Sequence, residues 1–384
     1  MATPFAGDVA PGWERVGDLF RGLLIDGTDV GAGLCVFHHG KKVVDLTGGW
    51  RDIDRVVPYD DSTLQVLFST SKGIVALAVA KCVQQGLLSY DEPVALFWPE
   101  FAEAGKEAIT VAEVMSHQSG LYCLDAPVTF DEALDWNAIT RRLASSTRQS
   151  TTGHGYHALT WGWLAGELVR RVDGRDIGTF VAEELASPVG GECWFGLPER
   201  FESRVAPLNM GWERRPESNG VGGSPDSLLS RVLSLNGALA VKGGFNRRDV
   251  RAVAIPAANG VSDARTVATI YSASFTETQT SVGSVKLLDD ETRLQATRRV
   301  TPLGERDDVL RLETSFAMGF MTPSVIVPFT GEASYGHPGA GGSLGFADPS
   351  RGIAFAYVMN RMGDMLIGDD RAARLAAAVY SVVD

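Results

Sequence analysis

The run LFSTSKGIVALAVAKCV, residues 67–83, constrains this chain more than any other stretch. From 73 to 85 it is apolar nearly all round rather than along one stripe, which predicts a helix wrapped by neighbours on every side. Such a helix needs a large body about it, and 384 residues are enough for one, with two lobes expected. The run also holds Lys72, with Ser69 three residues before it. Lysine is rarely buried without a partner. Either Ser69 caps the helix and the amine snorkels, or the pair does chemistry.

On either side of this run the chain changes character. Residues 11–26 read as an amphipathic helix with Trp13, Val16, Phe20, Leu23 and Leu24 on one stripe. Residues 33–50, GLCVFHHGKKVVDLTGGW, are two β-rich runs about a polar turn, a hairpin signal. Helical patterns follow at 157–172, 176–186, 227–240 and 264–275. Strand patterns return at 315–321, 342–349 and 351–360, and residues 371–383 predict a closing helix. Hairpins at both ends predict one antiparallel sheet from residues 1–70 and 285–384. A mostly helical region, 71–284, is inserted between them, with the active site expected in the cleft at the join. This is α+β logic, not alternating βαβ.

Charge narrows the function classes. A net charge of -12 repels nucleic acid and anionic membranes. The largest basic cluster, NRRDVR at 246–251, is interrupted by Asp249 and reads as a solvated face. Cys35, Cys82, Cys123 and Cys193 lie far apart with no C-x-x-C pair, and Cys35 and Cys82 sit in apolar runs as small hydrophobes. Only His38 and His39 adjoin among the histidines, and strand neighbours point to opposite faces, so no metal site is expected. The opening MATPFAGDVAPGWERV lacks a basic segment followed by an apolar one, and no apolar run approaches the roughly 18 residues of a membrane span. The expectation is a cytoplasmic, reduced protein that meets a small molecule, not nucleic acid or membrane.

Spacing gives Ser69 and Lys72 a chemical reading. Positions i and i+3 share a helix face. A serine at the head of a helix has an unpaired amide beside it and a favourable dipole for negative charge. Burial lowers a lysine's pKa, and a partly neutral amine can take the serine proton to make an acyl-transfer nucleophile. Lys72 alone among the lysines has a serine three residues before it. Two further stretches join the pair. TTGHGYHALTWGW (151–163) sets Tyr156 on a glycine-rich turn before a helix, where it can relay protons if neighbouring cations lower its pKa. YGHPGAGGSLGF (335–346) enters a strand through small residues, and an edge strand there offers a second amide for an oxyanion. The plainer readings are a buried core tyrosine and, for His337, a turn residue.

Ser69-Thr70-Ser71-Lys72, Tyr156 and His337-Pro338-Gly339 resemble the three motifs of the class C β-lactamase fold, and the chain is similar to its family VIII carboxylesterases. ITVAEVMSHQSGL (109–121) resembles the family's Leu-Leu-Ser-His-Thr-Ser-Gly-Leu signature, and GHPGAGGSLGFADP (336–349) its closing hairpin. The resemblance implies a β-lactamase/transpeptidase-like α+β fold, an antiparallel sheet flanked by helices plus the helical insertion. It implies that Ser69 is acylated, that Lys72 helps deprotonate it, and that Tyr156 relays protons and activates the deacylating water. The Ser69 and Ala340 amides would form the oxyanion hole, with His337 in place of the β-lactamase lysine. No metal or organic cofactor is required. Two departures, Ala158 for the asparagine two residues after the tyrosine and His337 for that lysine, favour uncharged esters over β-lactams.

The residues expected to touch substrate are His337, Gly339, Tyr122 and Asn360, with Arg361, Trp212 and the loops 122–135 and 208–219 as further candidates. Rival serines are weaker. G-G-S-L-G about Ser343 matches a nucleophile elbow, but the last histidine, His337, precedes it, whereas an α/β-hydrolase needs it afterwards. Ser234, Asn236 and Lys242 mimic a second motif register, but lie too close in sequence to serve a helical loop and a distant strand. The alternatives are a D-amino-acid peptidase or amidase or a β-lactamase on the same scaffold, and last a non-catalytic binding module.

Overall fold

In the computed structural model, which describes residues 2–210, 224 and 226–384, both ends of the chain meet in one sheet. Its six strands are β1 (Phe5–Val9), β2 (Gly31–His38), β3 (Lys41–Gly49), β4 (Tyr335–Pro338), β5 (Leu344–Asp348) and β6 (Ile353–Met359). They are ordered β1-β3-β2-β6-β5-β4, antiparallel throughout. Asn360, after β6, locks the central junction. Its Oδ1 accepts the Gly31 N–H at 3.0 Å, and its Nδ2 donates to the carbonyls of Trp50 and Arg51 at 2.8 and 2.9 Å.

Helices cover both faces. Along β6 the side chains alternate between two cores. Ile353, Phe355, Tyr357 and Met359 pack with Val16, Phe20 and Leu24 of α1 (Glu14–Ile25) and with Leu375 and Val379 of a C-terminal helix, Asp370–Val383. Ala354, Ala356 and Val358 face the other core, shared by α2 (Thr70–Gln84), α3 (Thr160–Asp173) and α4 (Ala264–Ala273). A strand covered twice reads as an unbroken apolar run, which is why IAFAYVM shows no polar alternation.

α2 is the central helix that its sequence requires, buried from Thr70 to Ala80. It crosses α4 closely, and only glycine fits at 73: a Cβ there would stand 1.9 Å from the Tyr271 hydroxyl oxygen. Full burial of Ile74, Val75, Leu77 and Val79 contributes about 1.5–3 kcal/mol each. That holds Lys72 under cover, and burial disfavours the charged form of its amine.

Several elements differ from expectation. Residues 315–321 form no strand: the chain turns at Gly319, φ +89°, and Ala317 donates its N–H to the Phe320 carbonyl at 2.9 Å, leaving single bridges from Phe316 to Met321 and from Met321 to Gly336. The helix expected over 227–240 spans only Leu228–Ser234, ended by Leu235 and Asn236 in left-handed conformations. β1 was not anticipated, since its side chains are largely exposed and its pairing with β3 alone defines it. Among the described residues no helix is long and apolar enough to cross a membrane.

Candidate active site

Phe68 turns the chain into α2 with φ +46°, an uncommon conformation for a bulky residue. Ser69 follows at the helix head, and its hydroxyl makes no capping bond to the backbone. Its Oγ meets two side chains instead. The Tyr156 hydroxyl donates to it at 2.8 Å, and Lys72 Nζ stands 3.1 Å away. The capping reading therefore fails. So does snorkelling, because Lys72 is 0% exposed.

The surroundings of Lys72 define its protonation. Nζ donates to the carbonyls of Ala158 at 2.7 Å and Ala257 at 3.0 Å. No carboxylate among the described residues forms an ion pair with it, and burial holds its pKa well below the usual lysine range. A neutral amine has two N–H groups and one lone pair. With both hydrogens on carbonyls, the lone pair faces Ser69. In that neutral form the hydrogen bonds run one way, from Tyr156 O–H to Ser69 Oγ and from Ser69 O–H to Lys72.

Tyr156 departs from the expected pKa. Burial pushes its phenol up, and the nearby Asp307 adds to this, while the bond to Ser69 pulls down. The expectation that cations would lower it is corrected: its cationic neighbour, Lys72, is itself driven toward neutrality. The signature at 109–121 explains the turn that carries the tyrosine. His117, with φ +64°, accepts the Gly155 N–H on its carbonyl at 3.0 Å and the His157 N–H on Nδ1 at 3.1 Å. His157 donates from Nδ1 to the Gly155 carbonyl at 2.7 Å, so its Nε2 accepts the Leu121 N–H at 3.0 Å.

The third segment closes the site from the sheet edge. After β4 comes a short turn, Ala340–Gly342. Ser343 Oγ donates to the Leu67 carbonyl at 2.7 Å and lies 3.0 Å from Thr70 Oγ1, tying this turn to the head of α2. Ser343 is thus a buried tie and not an exposed elbow nucleophile. Ser69 and Ala340 remain partly exposed amid buried neighbours. His337 Nδ1 donates to the Pro338 carbonyl at 2.7 Å, which leaves Nε2 as an acceptor with no partner among the described residues. Burial, with Lys72 adding to it, lowers its pKa to about 3.

His337, Gly339, Tyr122 and Asn360 are all buried. Asn360 spends its amide on Gly31, Trp50 and Arg51, as described above. Tyr122 packs edge-on against His157 and donates to Asp308 Oδ2 at 2.9 Å. Gly339 donates its N–H to the Ser343 carbonyl at 2.7 Å. Asn360, Tyr122 and Gly339 thus spend these polar groups on partners within the chain, whereas His337 keeps Nε2 without a partner among the described residues. Arg361 reaches the Gly27 carbonyl. Asn236 holds the Leu124 carbonyl at 2.6 Å and Lys242 is exposed, so the rival register forms no site. Trp212 and the loop from 211 lie outside the described residues.

Sequence reasoning missed the Ala257 carbonyl, Asp307 and an aromatic pair beside the nucleophile. Phe68 and Phe245, both partly exposed, meet edge-to-face at 5.1 Å. A phenylalanine preceding Ser69 was the available signal for that pair. A backbone acceptor leaves none.

A serine whose hydroxyl bridges a buried lysine and a tyrosine, at the edge of an antiparallel sheet, is the arrangement of the beta-lactamase family. The family's model matches residues 16–379, and the chain belongs to that family. It is similar to the esterase/beta-lactamase LipL of Mycobacterium tuberculosis, at 34% identity over 89% of this chain and 80% of LipL. Among solved structures it is similar to a family VIII carboxylesterase, with a TM-score of 0.88 and 32% identity over 99% of this chain and 100% of the other. EstA from Arthrobacter nitroguajacolicus Rue61a superposes equally well, with a TM-score of 0.88 and 32% identity over 98% of each chain.

Proposed function

We propose that the chain is a carboxylic ester hydrolase that acts on small uncharged esters through an acyl-enzyme on Ser69. The observation that carries this reading is Ser69 Oγ held between the Tyr156 hydroxyl and Lys72 Nζ, with the amine's hydrogens engaged elsewhere. The esterase likenesses support the substrate class. Residues 1–70 and 285–384 serve as the sheet-bearing region and 71–284 as the helical one, with the site between them. The cytoplasmic expectation is part of the same reading, and four free, buried cysteines are compatible with a reducing compartment.

In this mechanism Lys72 takes the Ser69 proton as Oγ attacks the ester carbonyl. The amides of Ser69 and Ala340 receive the negative charge on the carbonyl oxygen. As the tetrahedral intermediate collapses, Tyr156 gives its proton to the departing alkoxide and recovers one from the Lys72 ammonium. Deacylation reverses the path. Water gives a proton to the Tyr156 oxygen while the tyrosine's own passes to Lys72, and Lys72 finally returns a proton to Ser69. The raised phenol pKa suits a relay that accepts a proton only as it hands one on.

His337 argues against carboxylate-bearing substrates. A neutral ring whose free nitrogen is an acceptor repels a carboxylate, where an ammonium would hold it. β-Lactam cleavage is a weaker second activity, favoured by the likeness to an esterase/beta-lactamase. The test compares p-nitrophenyl butyrate with a chromogenic cephalosporin. Ester cleavage well above cephalosporin cleavage, both lost in Ser69→Ala, is expected. Comparable rates would overturn the role given to His337, and silence on both substrates would overturn the esterase reading.

A further inference from the structure

We propose that Asp307 is a positioning residue for the reaction, holding Tyr156 through its backbone amide. The inference rests on the role given to Tyr156 above. Asp307 is 0% exposed, and its Oδ1 accepts three N–H groups: Val309 and Leu310, each at 2.8 Å, and Tyr156 at 3.1 Å. The first two belong to its own turn. The third lies 151 residues away in sequence, on the turn that presents the phenol to Ser69. Oδ2 accepts from the Thr314 hydroxyl at 3.3 Å, and His154 Nε2 lies 2.8 Å from that hydroxyl. The adjoining residue fastens the same segment, since Asp308 donates its N–H to the His154 carbonyl at 2.9 Å and accepts from Tyr122.

Three consecutive amides carry the tyrosine turn, and each has a named acceptor. Gly155 donates to the His117 carbonyl, His157 to His117 Nδ1, and the middle one, Tyr156, to Asp307. The phenol ring lies parallel to Phe316 within 7° and to His337 within 30°. The His117 ring and Lys72 Nζ also lie against it, 5.2 and 4.8 Å from its centroid, so the ring is held on its faces while the Asp307 bond holds its backbone end. A rigid ring carries any backbone displacement to its hydroxyl, and displacements of about 1 Å cost about 10²-fold in rate. A buried carboxylate is costly unless its hydrogen bonds are made, and here one of those bonds serves the site rather than the local turn.

The test is a double-mutant cycle on ester turnover. Asp307→Ala in the otherwise unchanged protein should lower kcat by about 10- to 100-fold with KM within about twofold. Asp307→Asn keeps an acceptor for the Tyr156 N–H and should stay within about threefold of the parent. In a Tyr156→Phe background, Asp307→Ala should cost less than about twofold, since the hydroxyl it places is gone. If the alanine variant does not fold, Asp307→Glu replaces it, moving the acceptor out by one methylene with the charge kept. Equal losses in both backgrounds, or a loss confined to KM, would overturn the proposal. If Tyr156→Phe itself costs nothing, the fault lies with the tyrosine's assigned role, which separates the two failures.

Discussion

The Ala257 carbonyl accepts a hydrogen bond from Lys72 Nζ at 3.0 Å, across 185 residues of sequence. Together with the Ala158 carbonyl it would engage both hydrogens of the neutral amine the proposed mechanism needs, turning the lone pair toward Ser69.

Ser69→Ala should abolish ester turnover with the fold intact, whereas Ser343→Ala should retain most of it. Ser343 ties Leu67 and Thr70 in place but is itself buried. Steady-state kinetics with circular dichroism on both variants checks this, and the opposite ranking would remove Ser69 from its role.

Lys72→Ala and Tyr156→Phe should each lower kcat by about 10²–10⁴-fold, the range for acid–base groups. The acid limb of the kcat/KM profile should belong to Lys72, which works only when neutral: activity falls as pH drops through its lowered pKa. His337→Asn should leave that limb in place, because a ring with a pKa of about 3 stays neutral across the working range. Loss of the limb in the histidine variant would reassign the titrating group.

Acid should destabilise the fold through its buried histidines. His157 and His337 each titrate near about 3 when folded, because burial opposes their charged forms, against the 6.5 of an unburied histidine. Between those values the unfolded chain binds protons that the folded one refuses, so stability is present above about pH 6.5 and is lost as pH falls toward 3. Urea midpoints measured from pH 7 to pH 4.5 should decline, and less steeply in His337→Asn. An identical slope in the variant would contradict this.

Asn360→Ala should behave as a stability variant. Its amide serves the backbone of Gly31, Trp50 and Arg51, and each buried group left unpaired costs about 1–3 kcal/mol. Thermal unfolding should shift downward by several degrees while KM for the ester, read below the transition, stays unchanged. A raised KM at unchanged stability would restore Asn360 to the substrate.

The central helix and the flanking hairpins were legible because their signals are local: an all-round apolar run, and paired β-rich segments about a polar turn. Ser69 and Lys72 stood out by their i, i+3 spacing and Tyr156 by its glycine-rich turn and the family resemblance, and the structure brings the three within hydrogen-bond distance. β1 was not legible, since its exposed residues carry no burial pattern and only pairing with β3 makes it a strand. Asn360 was read as a substrate contact, and a polar residue after a strand looks the same whether it faces a substrate or ties three backbone groups, as its amide does here. Asp307 sits in GERDDVL, which reads as an ordinary charged turn. Its significance appears only once Tyr156 is folded against it.

A sheet woven from both ends of the chain has a consequence in time. Thr70 and Ser343, whose hydroxyls meet beside the nucleophile, are 273 residues apart in sequence. At about 5–20 residues per second, a ribosome needs roughly 14–55 s to pass from one to the other. For most of that interval the nascent chain carries Ser69 and Lys72 but not yet Asp307, the acceptor for the Tyr156 N–H, nor the edge strand Tyr335–Pro338 and the Ala340 amide made near its close. Nascent chains should therefore be catalytically silent, with activity arriving in a single late step as the last strands dock.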